Sequence, residues 1–406
     1  MKPLTAHLIA LAFFLLSSTL SFAGWGDALL KQVVKDVATE TAKQEVSKAV
    51  INQFNKADPN YTGPKTAAEA EAESAALSHS AQTITLDPLN PKKDLSNTKL
   101  AKNLKTKTNR VVVGGFRVAF ILSNVASASE DNGLLNLGNS AASSSGITTI
   151  HQDRSVKMEK LLYGINESDM QAIADQAYAD FMQKLHSSGL EVLPSSTFVN
   201  SPQFAEIDKT PAPYKKDSGW FRPNDIHVYS PRQLPLWFCH ADAQLGDKGP
   251  LSLGNWKKIN KFSGDNNVIV LVPQIVINFA DMQSSGRRSM FKKAKVSSED
   301  VVHLAQGQTS LFGYYSEQGA PSGHLGAITL KKHLIVPGEF AVNYLVDETD
   351  NSVWVNSMTR LTGAAGTIHN TETWAVVANP TVFKQYSLAG SATAADAFIE
   401  LLKESH

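Results

Sequence analysis

A single cysteine, Cys239, stands in a chain of 406 residues. One thiol makes neither an intramolecular disulfide nor a thiolate-bound zinc or iron–sulfur cluster, so nothing covalent staples this fold. The chain must hold together by burial, and its length gives apolar surface enough for about two or three domains. A hydrophobic share of 42% against 19% charged residues is that of a folded chain, not a disordered one. The 38 basic residues balance 38 acidic ones. That removes the basic excess of a general nucleic-acid binder, and no nucleic-acid partner is expected.

Residues 1–23 read as a secretory signal peptide. Lys2 supplies the positive start, Leu8 to Leu16 is an unbroken apolar run, and Ser21-Phe22-Ala23 places small residues where a signal peptidase reads. The run is too short to span about 30 Å of hydrocarbon, so cleavage after Ala23 is expected rather than a retained anchor. No cysteine follows it, so no lipid anchor is expected either. No later stretch reaches about 18 uninterrupted apolar residues, and the mature form is expected to lack a transmembrane helix. Cleavage removes Lys2 and no acid, leaving a nearly neutral product. A periplasmic or secreted location in a bacterial cell envelope fits a large exported chain without disulfides.

Residues 24–56 carry a helical period. Leu29, Leu30, Val33, Val34, Val37, Val46, Val50 and Phe54 recur at three- and four-residue steps with charges on the other side, and Asp58-Pro59 ends the pattern. Such an amphipathic helix docks on its own body, on a protein partner in the envelope, or on a membrane surface as a peripheral contact. Leu30, Val33, Val37 and Phe54 are its candidate partner-binding residues. Residues 57–109, rich in Ala/Glu/Ser and then in Lys/Asn/Thr, read as a flexible linker.

The folded body is expected from residue 110, first as an α/β unit over 110–207. Val111 to Leu122 reads as a buried strand with a bulge or close approach at Gly114-Gly115. A long Ser-, Ala- and Asn-rich loop follows over 123–146. Met170, Ile173, Ala174, Ala177, Tyr178, Phe181, Met182 and Leu185 form a helical stripe, and a short strand runs from Gly189 to Pro194. Strand, helix, strand is a βαβ-type unit. Residues 208–406 read as β-rich, opening with a Pro- and aromatic-rich insert over 208–257. Val268–Val272 and Ile275–Phe279 are expected as strands split by Pro273, followed by Leu325–Leu334, Gly338–Val346, Ser352–Leu361 and Thr367–Val377. Asp350-Asn351 suits a hairpin turn, and a closing helix over 391–404 is expected with Ser391 or Thr393 as its cap. The fold class is α+β: mixed and antiparallel sheets with flanking helices, preceded by the amphipathic helix and its tether.

Chemistry-bearing motifs are sparse. No G-x-S-x-G elbow occurs, and Gly114-Gly115 lacks the spacing that aims amides at a phosphate. Cys239 and His240 are neighbours, so on a strand they face opposite ways, and Cys239 reads as a buried, inert thiol. His227, His240 and Asp242 are the weak catalytic candidates and the only hint of a two-His-one-carboxylate set; without H-E-x-x-H clustering no metal site and no cofactor are expected. Trp220, Trp237 and Trp256 are candidate ligand-binding residues for a sugar or peptide, against the alternative of core anchors.

The entering strand Val111–Leu122, the stripe from Gln171 to Phe181 and the exit from Ser188 to Pro194 resemble the α/β domain of the curli-secretion channel family and similar bacterial envelope proteins. The resemblance covers 111–207 and implies an envelope assembly or secretion role rather than catalysis. That family is lipid-anchored through an N-terminal cysteine, which this sequence lacks. The expected function is an exported, non-enzymatic accessory or structural component of a cell-envelope assembly or secretion system. The alternatives are an exported hydrolase, with the 123–146 loop over a site that includes Ser140 and the His227 group, and a carbohydrate- or peptide-binding module.

Overall fold

A computed structural model describes residues 67–77, 84–98, 100–130, 154–216, 225–239, 253–285, 295–318, 323–347 and 368–404. These all belong to one unit, Ala57–His406. The expected signal peptide over 1–23, the expected helix over 24–56, residues 131–146 of the expected loop and the expected turn at Asp350-Asn351 lie outside the described residues.

The chain opens with helix α1 (Ala67–Ala76), helix α2 (Pro91–Asp94), strand β1 (Leu95–Thr98) and helix α3 (Leu100–Thr106). Strands β2 (Arg110–Val113), β3 (Arg117–Ile121), β4 (Ser123–Glu130) and β5 (Arg154–Tyr163) lead to helix α4 (Glu167–His186) and strand β6 (Glu191–Leu193). Short pieces follow: α5 (Ser195–Val199), α6 (Pro202–Ala205), β7 (Lys209–Thr210), β8 (Tyr214–Lys216), β9 (Ile226–Tyr229) and β10 (Leu236–Trp237). Helix α7 (Leu253–Asn266) precedes β11 (Ile269–Ser285), β12 (Lys295–Leu304), β13 (Ser310–Tyr315), β14 (His324–Leu330), β15 (Leu334–Val336), β16 (Ala341–Asp347) and β17 (Ile368–Ala378), and helix α8 (Pro380–Lys403) closes the body.

The architecture is α+β. β11 is the axis of an 11-stranded mixed sheet. Its first half pairs in parallel with β2 and antiparallel with β13; its second half pairs in parallel with β3 and antiparallel with β12. Beyond β2 lies β6, beyond β13 lie β14 and β1, beyond β3 lie β9 and β8, and beyond β12 lies β15. β2, α4 and β6 make the expected parallel βαβ crossover. The α/β unit and the β-rich region thus share one sheet.

The expected bulge lies at the glycine pair. Val113 pairs with Leu271 and Arg117 with Gln274, so four steps on one strand face three on the other. The extra residue resets the side-chain alternation. Val118 and Phe120 therefore share the apolar cluster of Val111 and Val113, while Val112 enters a second cluster on the other face. Pro273 does not split the strand. The Gly114 amide donates to the Leu271 carbonyl at 2.9 Å, so Leu271 and, two residues on, Pro273 turn their backbone groups toward β2 and β3. The missing proline N–H falls opposite the bulge, where no ladder bond is needed.

Helices α4 and α8 pack together on one face of the sheet. Asn166 and Asp169 cap α4 reciprocally, and Met170, Ile173, Ala174, Ala177, Tyr178, Phe181 and Leu185 are its buried stripe. α8 starts well before the expected 391. Asn379 accepts from the amides of Thr381 and Val382, and Pro380 takes the first turn. Ser391 and Thr393, expected as caps, are interior residues that donate to the carbonyls of Ser387 and Ala389. The opposite face of the sheet carries α5, α6 and α7 through Phe198, Phe204, Ile259 and Phe262.

Two expected loops carry structure. Within the expected linker over 57–109, Leu89, Leu95, Leu100 and Leu104 are buried in the main core, and Leu95 pairs with Leu330 at the sheet edge. Four widely spaced leucines suffice for docking because Asn90 caps α2 and Lys332 pairs with Asp94 at 3.0 Å. Residues 123–130 of the expected 123–146 loop form β4, paired along its whole length with β5. β4, β5, β17 and β16 make a second, four-stranded sheet in which β17 and β5 run parallel.

That sheet meets the β11/β12 ribbon through polar contacts. The Asn124 and Asn278 amides donate to each other at 2.7 and 3.2 Å. Lys160 on β5, 6% exposed at its side chain, pairs with Asp300 on β12, which also accepts from Asn343 on β16. Lys160→Met strands the Asp300 charge and is expected to cost about 3 kcal/mol, with Lys160→Met/Asp300→Leu recovering much of it. Urea unfolding of both variants checks this. At the bulge, a Cβ on Gly114 would lie 2.5 Å from Val270 Cγ1 and 2.8 Å from Phe198 Cδ1. Gly114→Ala is expected to lose about 1–3 kcal/mol, read as a lower urea midpoint at unchanged slope.

Candidate functional site

Of the three catalytic candidates, His227 is described, while His240 and Asp242 lie outside the described residues. His227 sits on β9, cross-strand from Phe120 on β3 and from Lys215 on β8, so the three share a face. That face runs under the start of α4, where Glu167 takes the Lys215 ammonium at 2.7 Å. The hydrogen bond from Lys215 holds the Glu167 carboxyl below the usual carboxylate range, and the fields of Lys215 and His227 add to it. Two residues along β9, burial pushes the Tyr229 phenol up, and the Glu167 charge pushes the same way. The ring of Tyr229 meets Phe120 edge-on at 5.7 Å. His227 thus belongs to a half-open polar cluster of imidazole, carboxylate, ammonium and phenol, in which the carboxylate is committed to the ammonium at the surface.

The tryptophans part company. Trp220 lies outside the described residues. Trp237 is 1% exposed and donates its indole N–H to the Gly114 carbonyl at 3.0 Å. It packs with Phe198 and Tyr314, and Cys239 is buried in the same cluster. Trp256 on α7 meets Tyr314 edge-on at 5.6 Å, partly buried against that cluster. Trp237 is thus a core anchor, and Trp256 lies at the edge of the same cluster. Trp237 fills the space left by the side-chain-free Gly115, its ring 3.1 Å from a Cβ placed there.

Sequence reasoning missed Arg117. It is 1% exposed, with its guanidinium 5.6 Å from the Trp237 ring and 5.5 Å from the Phe238 ring. Its Nη1 donates to Gln274 Oε1 at 3.3 Å, and Gln274 in turn donates to the Gln308 carbonyl. A lone arginine inside Val-Gly-Gly-Phe-Arg-Val-Ala-Phe was the available signal: a charge within an apolar run is buried with partners or the run is not a core strand. The candidate partner-binding residues Leu30, Val33, Val37 and Phe54 lie outside the described residues. Among the described residues, no three His, Cys, Asp or Glu side chains gather as cation ligands, and no helix is long and apolar enough to cross a membrane. No family model, curated protein or solved structure matches the chain.

Trp237→Ala empties the centre of the second cluster and removes the Arg117 stacking surface. It is expected to cost about 3–5 kcal/mol, measured by chemical unfolding. Trp237→Phe, which keeps a ring but loses the indole N–H, is expected to cost distinctly less.

Proposed function

We propose that this chain is an exported, non-enzymatic protein of a bacterial cell envelope, an accessory or structural component of an envelope assembly or secretion system. The observation that carries the reading is the pair of joined sheets. β4, β5, β17 and β16 form a strand platform fixed to the β11/β12 ribbon, on a body that spends Trp237, the largest fully buried side chain among the described residues, on its own core. Strand platforms suit association through main-chain hydrogen bonds, which tolerate varied partner sequences. The export-type start at 1–23, the amphipathic stretch 24–56 and the likeness of 111–207 to the curli-secretion channel family support the same reading. The location is then periplasmic or secreted, and the partner is a protein of the envelope, reached through Leu30, Val33, Val37 and Phe54.

Two measurements test it. N-terminal sequencing of the fractionated protein should begin at Gly24; a product retained in the cytoplasm with Met1 intact overturns export. A precursor lacking 24–56 but keeping 1–23 should leave the envelope fraction while the melting midpoint of its body stays that of the full chain. Continued co-purification of that truncated protein would count against the partner role of the helix.

A further inference from the structure

The β12–β15 edge holds two histidines in ring contact. His303 is 1% exposed, cross-strand from Asn278 on β11 and from Ile335 on β15. His333, in the turn before β15, meets it edge-to-face with ring centroids 4.5 Å apart. The His333 ring is placed for the neutral form. His333 Nδ1 faces the Gln306 amide at 3.3 Å and so acts as the acceptor, which places its proton on Nε2. His303 Nδ1 faces the Val301 carbonyl at 3.4 Å, the geometry of a donor, leaving Nε2 without a proton.

We propose that this pair is an acid-sensitive latch that holds strand β15 on β12 near neutral pH and lets it lift away in mild acid. A proton on His333 Nδ1 would turn the contact with Gln306 into donor against donor. A proton on His303 would place a charge in a buried site against a second imidazole. The charged and titratable neighbours of His303 are His333 from the turn and, from β11, the Asp281 carboxylate, whose field opposes the effect. Asp300 on the same strand is engaged by Lys160 of β5 and Asn343 of β16. Lys332 of the turn pairs with Asp94, and Lys331 donates to the carbonyls of Lys92 and Lys93. α8 packs against Leu304, hence on the opposite face of β12.

Burial, followed by His333, lowers the His303 value from 6.5 to about 4. A depressed histidine keeps its full stabilising effect above the unfolded value and loses it as pH falls toward the folded one. The window is therefore between about 6.5 and 4, and the shift corresponds to about a 300-fold rise in opening across it. β15 is the element suited to respond. It pairs through three residues only, with His303↔Ile335 at the centre, and Ile335 is already 47% exposed. Short edge strands open locally before the body unfolds.

Hydrogen exchange read by mass spectrometry on the full chain, corrected for the intrinsic rate, tests the latch. Between pH 6.5 and 4, protection should fall by up to about 300-fold in 301–306 and 334–336 while β2 and β3 keep theirs. The His303→Gln/His333→Gln variant should lose that pH dependence. Acid loosening that persists in the variant, or that spreads through the sheet together, overturns the proposal. Should the double variant fail to fold, His333→Gln alone, at a half-buried position, and the NMR titration of His303 decide. A His303 midpoint above about 6 overturns it as well.

Discussion

Every layer of this protein depends on one strand finding hydrogen-bond partners along its length. β11 runs for 17 residues, about three times an ordinary strand. No single neighbour spans it, so its edges change hands midway on both sides. A buried strand cannot leave amides unpaired at such a handover. On one side the bulge at Gly114–Phe116 absorbs the mismatch and Pro273 removes the N–H that would have faced it. On the other side Thr309 bridges the gap: its hydroxyl accepts from the Val276 amide at 3.1 Å, and the Ala305 amide donates to the Val276 carbonyl at 2.8 Å. The two glycines follow from the same handover, because Val270, Phe198 and Trp237 close over the bulge at distances that leave no room for side chains. Arg117, the first residue after it, is then carried into the interior, where Gln274 and two aromatic faces receive its charge.

What could be read in the sequence was the dense periodic signal. The α4 stripe, the Val111–Leu122 run with its glycine bulge and the β17 strand each concentrate enough apolar residues to declare their own geometry. Sparse signals failed for a physical reason. Leu89 and Leu95 stand apart from any period and Leu100/Leu104 make a single helical step, and only β14 and the core, distant in sequence, give them something to bury against. β4 is built of serine, asparagine, alanine and valine, so its composition is that of a loop; its partner β5 decides it. The first half of α8 was hidden by Gly390 and its serines, although Asn379-Pro380 is a sequence-level start signal. Gly390 is tolerated because the helix comes within 3.2–3.6 Å of Val336 and Leu304 at that point, measured from a Cβ placed there.

The candidate site was less legible than the fold, and the reason differs. A tryptophan on a ligand platform and a tryptophan in a core obey the same composition statistics. Only the identity of the facing residues separates them, and Trp237 faces Gly114, Gly115 and Arg117. The converse held for His303, which sits in Val-Val-His-Leu: a polar residue inside an apolar run signals a partner without naming it.

The polar partners of the second sheet have a common location. Asn124 with Asn278, and Lys160 with Asp300 and Asn343, lie where the four-stranded sheet joins the β11/β12 ribbon. An apolar interface adds stability with area and little regard for angle, while paired amides and a shielded ion pair fix angle and register at a modest net gain. The second sheet is therefore held in a defined orientation more than it is held tightly. In the role proposed above, presenting strands to an envelope partner, orientation is the property that has to be specified, and the polar seam is where it is specified.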